Sequence, residues 1–158
     1  MGTTTEQLAV LLAGLSNQDE VFAVSGERDA TTLAEHVHAL AATGEQRWEA
    51  DIDPRTRPVP LSEVGSALQP VPRDLAERRL AGLASRSLVY TYDIMDAERA
   101  RELAGQLVAL LGEDAEWWSS QDPADDSMSS PVSRCTVDAV VAGANATHFA
   151  ALLQLGED

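Results

Sequence analysis

The chain has 158 residues and is 44% hydrophobic, enough for one domain of ordinary size with a real core rather than a disordered polymer. Its formal net charge of −15 disfavours sequence-independent nucleic-acid binding and anionic membrane surfaces, since phosphates are repelled. All eleven cations are arginine, which removes Schiff-base and P-loop lysines, and the single cysteine, Cys135, allows no internal disulfide and suits a reducing, cytoplasmic compartment.

In chain order, the first predicted element is a helix over "TTTEQLAVLLAGLS". Thr3 and Glu6 have capping-box spacing, and Leu8, Leu11, Leu12 and Leu15 recur on one face. The apolar part is short and follows Glu6 with no basic residue before it, so neither a signal peptide nor a membrane span is expected. After Asn17-Gln18-Asp19, "VFAVSG" predicts a buried strand. "DATTLAEHVHALAATG" then predicts a helix with Thr32 and Glu35 as a capping box, an apolar face of Leu33, Val37, Leu40 and Ala41, and Gly44 as its C-terminal cap. "QRWEADI" follows as a strand closed by Asp53-Pro54.

Residues 55–86 form a connector of different character. They carry three acids and six arginines, against ten acids and two arginines in residues 1–54 and thirteen acids and three arginines in residues 87–158. Two short repeats, "RPVPLSEV" and "QPVPRDLA", each place proline ahead of a helix-like run, as its fixed φ and missing donor favour. Leu75, Ala76, Leu80, Leu83 and Ala84 give the second run an apolar face. A cationic segment between two acidic blocks is expected to dock on them or to remain solvated.

In the second half, "LVYTYDI" predicts a strand, "DAERARELAGQLVALLG" an amphipathic helix between Asp96 and Gly112, and "AEWWSS" another strand. "ADDSMSSPVS" predicts a polar loop and "CTVDAVVAGA" a strand. The tail supports two readings: a helix from Asn145 to Gly156, or a strand forming a hairpin through the turn chemistry of "GAN", and the hairpin is favoured.

"GEQRWEADIDP" at Gly44–Pro54 is echoed by "GEDAEWWSSQDP" at Gly112–Pro123. Val21 and Val89, Gly44 and Gly112, and Trp48 and Trp117 stand 68, 68 and 69 positions apart. The spacing predicts a pseudo-repeat of strand-helix-strand units over 21–54 and 88–123, followed by a C-terminal strand or hairpin over 134–158. The expected fold is a single α+β domain in which the two units share a mainly antiparallel sheet of ferredoxin-like type. Helices are expected on one face, and an N-terminal helix completes the cover.

Few constellations carry chemistry. His36 and His38, two apart on a helix, do not share a face and lack the i, i+4 spacing of a helical zinc pair. His148 could meet Cys135 across a hairpin, but no third group that would orient such a pair is legible. Glu49, Asp51 and Asp53 alternate in "EADID", so on a strand they share one face and could offer oxygen ligands to Mg²⁺ or Ca²⁺. Asp122, Asp125 and Asp126 lack the glycine and glutamate of a calcium loop, and no GxSxG elbow or glycine-rich phosphate loop is present. Trp117 and Trp118, adjacent on a strand, must face opposite sides, leaving one available as a contact anchor.

The expected function is therefore a non-enzymatic acidic binding protein of immunity, antitoxin-like or regulatory type, with no cofactor. It would engage a basic protein partner through Trp117, Trp118, Glu116, Asp122, Asp125 and Asp126. The alternative is a small divalent-metal-binding domain or metal-dependent enzyme built on Glu49, Asp51 and Asp53. Mimicry of DNA phosphates by the acidic face ranks below both.

Overall fold

The computed structural model describes residues 2–158. Helix α1 (Thr4–Leu15) starts on Thr3, whose hydroxyl accepts from the Glu6 amide, and buries Leu8, Leu12 and Leu15. Strand β1 (Val21–Glu27) follows. Helix α2 (Leu33–Arg47) begins with the full capping box: the Thr32 hydroxyl accepts from the Glu35 amide while the Glu35 carboxylate accepts from the Thr32 amide. Gly44 does not cap this helix but lies inside it, with a different role. A Cβ there would stand 2.6 Å from Leu155 and 3.1 Å from Phe22, so glycine lets α2 settle closely on the sheet.

The connector supplies α3 (Leu61–Ala67), the short strand β2 (Gln69–Val71) and α4 (Arg73–Ser85), with Pro60 and Pro72 at the two N-caps. Helix α5 (Ala97–Leu111) runs from Asp96, whose carboxylate accepts from the Arg99 amide, to Gly112. The remaining strands are β3 (Glu116–Ser119), β4 (Gln121–Asp122), β5 (Asp125–Ser129), β6 (Val137–Ala144) and β7 (His148–Gly156).

One five-stranded antiparallel sheet has the order β1-β7-β6-β3-β2, and β4 and β5 form a separate two-stranded ribbon. The fold is α+β. The tail is a strand: β6 and β7 are a hairpin with Val141 opposite Leu152. The element order is not the β-α-β-β-α-β order of ferredoxin-like folds.

Helices cover both faces of the sheet rather than one. On one side α1, α4 and α5 pack Leu12, Leu80 and Leu107 against Val21, Val141 and Leu152. On the other, α2 and α3 pack Val37, Leu40 and Val64 against Phe22, Val140 and Leu153. The reason lies in β6 and β7, where "AVVAGA" and "FAALL" are continuous apolar runs without alternation. Strands of this kind must be buried on both faces. At roughly 1.5–3 kcal/mol for each large side chain removed from water, neither cover is dispensable.

Two predicted strands are absent, and with them the matching of the two units. "QRWEADI" is the end of α2 and a turn, in which the Asp51 and Ile52 amides donate to the Trp48 carbonyl. "LVYTYDI" is a loop: the Ser87 amide donates to the Tyr92 carbonyl, and Thr91 sits at φ 58°, outside the strand region. Tyr90 and Tyr92 are exposed, so β-favouring composition had no two-sided burial to act upon. The loop is tied down instead by Gln154 of β7. Its side chain donates to the Leu83 and Arg86 carbonyls and accepts from the Leu88 amide. Among the described residues, no helix is long and apolar enough to cross a membrane.

Candidate functional site

The three acids expected to share a strand face do not converge, because the segment that carries them is a turn. Glu49 accepts from the Arg134 guanidinium at 2.8 Å. Asp53 accepts from its neighbour Arg55 through both backbone and side chain, and these bonds hold its carboxyl below the usual range. Asp51 opens instead onto a cleft of about 360 Å³ shared with Asp19, Glu20, Arg47, Trp48 and Tyr92. Among the described residues no group of three or more His, Cys, Asp and Glu side chains could hold a metal ion. The metal reading of Glu49, Asp51 and Asp53 is thereby corrected.

Cys135 and His148 lie at opposite ends of the β6–β7 hairpin. Cys135 precedes β6 and is buried, and its thiol is pushed up to about 12, chiefly by burial and then by Glu157. His148, beside the turn, exchanges hydrogen bonds with Thr5 and Thr147. A thiol held in this way is not a nucleophile near neutral pH. His36 stacks on Phe149 with ring centroids 3.8 Å apart, a packing role.

The two adjacent tryptophans do face opposite sides. Trp117 is 3% exposed and lies in the core among α4 and α5 residues. Its ring occupies the space above Gly143, its partner across the ladder, where a Cβ would come within 2.4 Å of it. Trp117 is therefore not available as a contact anchor. Trp118, half-buried between Pro70 and Ala142 on the other face, keeps part of its ring at the surface.

Beyond β3 the chain leaves the sheet. The Ser120 amide donates to the Val140 carbonyl, and the Ser120 hydroxyl accepts from the Val140 amide. Strands β4 and β5 then form an acidic ribbon whose turn is closed by its own side chains. Asp122 accepts from the Ala124 amide, and Asp125 accepts from the amide and hydroxyl of Ser127, which lowers its carboxyl below the usual range. Asp122, Asp125 and Asp126 are exposed, as are every residue of β5 and Glu116 at the start of β3. Met128 is 60% exposed among them.

Arg79 of α4 holds the base of this ribbon. Its side chain is only 2% exposed. It donates to the Ser119 hydroxyl at 3.2 Å, to the Gln121 carbonyl at 3.0 Å, to the Asp122 carbonyl, and to the Asp126 carboxylate at 3.0 Å. The Gln121 side chain adds a bond to the Asp126 carbonyl. A buried guanidinium is costly unless its donors are met; here two strand carbonyls, a hydroxyl and a carboxylate meet the two terminal nitrogens, while the buried Nε finds no partner among the described residues. Arg79 thus converts a short, solvent-washed ribbon, which would be marginal by itself, into a fixed projection. The sequence offered one signal for the ribbon, the Asx-turn chemistry of "DPADDS", and none for Arg79.

Behind the ribbon, Asp138 of β6 is buried and accepts from the Val132 amide and from the amide and hydroxyl of Ser133. Burial outweighs these bonds and pushes its carboxyl up to about 6. Arg134, bridging Glu45 and Glu49, fixes the same loop to α2. These groups hold the loop from β5 to β6. Comparison of the chain with protein-family models, with curated proteins and with solved structures finds no match.

Proposed function

We propose that the protein is a non-enzymatic acidic binding module, of immunity, antitoxin-like or regulatory type, that engages a basic protein partner in the cytoplasm. The observation that carries this reading is the β4–β5 ribbon: an exposed acidic projection, with Glu116 and Trp118 at its root, locked to the body by a buried arginine. Fixing the carboxylates in advance reduces the entropy lost on binding. The net charge of −15 would steer a cationic partner in from a distance. The same charge opposes a nucleic-acid partner.

The test begins with capture of partners from host lysate at low and moderate salt. Any captured protein is then compared on the wild type and on the triple variant Glu116→Gln, Asp125→Asn, Asp126→Asn. A basic protein held by the wild type and released by the variant or by added salt supports the reading. Absence of any salt-sensitive basic partner, or equal retention by the variant, removes it.

A further inference from the structure

The two edges of the five-stranded sheet are finished differently. The β2 edge is three residues long and contains Pro70, both of which blunt strand pairing. The β1 edge is seven residues long and has no proline, bulge or lysine.

Its hydrogen-bonding phase can be worked out. The Leu155 amide donates to the Glu20 carbonyl, and the Arg28 amide donates to the Thr147 carbonyl. Even-numbered residues of β1 therefore turn their backbone groups toward β7, and odd-numbered residues turn theirs outward. At Val21 the outward groups are already used. Its carbonyl accepts from the Asn17 and Gln18 amides, and its own amide donates to the Asn17 side chain. Ala23, Ser25 and Glu27 remain, an open template of alternating donors and acceptors.

Alongside that template runs a trough of about 340 Å³. Its walls include Ala9, Leu12 and Ala13 of α1, Ser16 just beyond that helix, and Ala23 and Ser25 of β1. Ala9 and Ala13 on α1 leave room beside Leu12 for side chains that a paired strand would point toward this face. Acids flank the strand on both faces: Glu27 shares the face of Ala23 and Ser25, Glu20 lies on the opposite face, where its carboxylate accepts from the Tyr92 hydroxyl, and Asp29 follows the strand, while the guanidinium of Arg28 donates to the Asn145 carbonyl.

We propose that the β1 edge is a docking site for an extended segment of a basic partner, which adds as a sixth strand beside Ala23, Ser25 and Glu27. Alternate side chains of that segment enter the α1 trough and are apolar and modest in size. The others lie on the Glu20 face and are cationic. Main-chain pairing provides the attachment and the two side-chain rows provide selectivity. A second copy of this chain is the poorer occupant, because it would bring another −15 of charge against the same acids. The proposal rests on the reading of a basic protein partner and adds how that partner is held.

The probe is a capped peptide of alternating arginine and valine, as long as β1, compared with a peptide of equal charge whose central valine is proline. Calorimetry is expected to show salt-sensitive binding of the first peptide and binding about tenfold or more weaker for the second. Amide exchange at Ala23, Ser25 and Glu27 is expected to slow only with the first. Ser25→Pro in the protein removes an outward amide and spares the β1–β7 ladder, and it is expected to weaken binding to the same degree. Ala23→Lys, which keeps the backbone, provides an independent variant should proline disturb the strand. Equal binding of both peptides, with no change in those three amides, overturns edge pairing and leaves the charge-based reading standing. No binding of either peptide at low salt overturns edge pairing, and only failure of the lysate test would remove the broader reading with it. Concentration-dependent dimerisation abolished by Ser25→Pro would also overturn the proposal, by assigning the edge to a second copy.

Discussion

Replacing Arg79 with methionine tests how the ribbon is held. The substitution keeps most of the aliphatic length within α4 and removes every donor that the guanidinium supplies to Ser119, Gln121, Asp122 and Asp126. Asp122 and Asp126 are exposed and can turn to water, but Ser119 and Gln121 are buried. An acceptor orphaned in the interior costs about 1–3 kcal/mol. Ser119 still accepts from the Gln121 amide, so the Gln121 carbonyl is the buried acceptor left without its donor, and the loss is about 1–3 kcal/mol. Asp126→Asn supplies the contrast: its carboxylate is 75% exposed, so losing the ion pair should cost less than about 1 kcal/mol. Urea denaturation measures both costs, and amide exchange reports whether β4 and β5 lose protection in Arg79→Met while β6 and β7 keep theirs. Equal costs for the two variants would mean that the ion pair, not the carbonyl clamp, is what matters. Unchanged ribbon protection in Arg79→Met would refute the clamp altogether.

Asp138 makes stability depend on pH. Its carboxyl is raised from 3.8 to about 6 in the folded chain, so its contribution is fully present below 3.8 and is lost as pH rises through about 6. Relative to Asp138→Asn, the wild type should lose up to about 3 kcal/mol across that window in denaturation series at successive pH values. A difference independent of pH would contradict the burial of a raised carboxyl. Cys135, buried with its thiol pushed up to about 12, should react with iodoacetamide far more slowly in the native protein at pH 8 than in urea, as mass spectrometry would show. Equal rates would mean that the β5–β6 loop opens readily.

Local signals were dependable where the element's own residues decide its form. The Thr32–Glu35 box, the leucines of α1, the Asp96 cap and the turn at Asn145 all specify structure within a few residues, and each stands where periodicity placed it. Failures occurred where the decision is made elsewhere. "LVYTYDI" has strand composition, yet both ladder positions beside β7 are taken by β1 and β6. Gly44 resembled a cap and is instead a point of close approach to Phe22 and Leu155. Of the surface residues singled out, Glu116, Asp122, Asp125 and Asp126 are exposed and Trp118 partly so, whereas Trp117 is core. That assignment depended on which face of β3 meets α4 and α5. Arg79 could not be distinguished from the other connector arginines, because its partners lie about forty residues downstream and half of them are backbone atoms.

The strand order has a consequence for how the molecule is made. β7 lies between β1 and β6, and among the described residues β1 has no other ladder partner, so the inner edge of β1 stays unpaired until β7 is made. During synthesis the first strand therefore emerges from the ribosome long before its neighbour exists, with "VFAV" unshielded. The dense negative charge around it offers one form of protection in that interval, since nascent chains that repel one another are slow to aggregate.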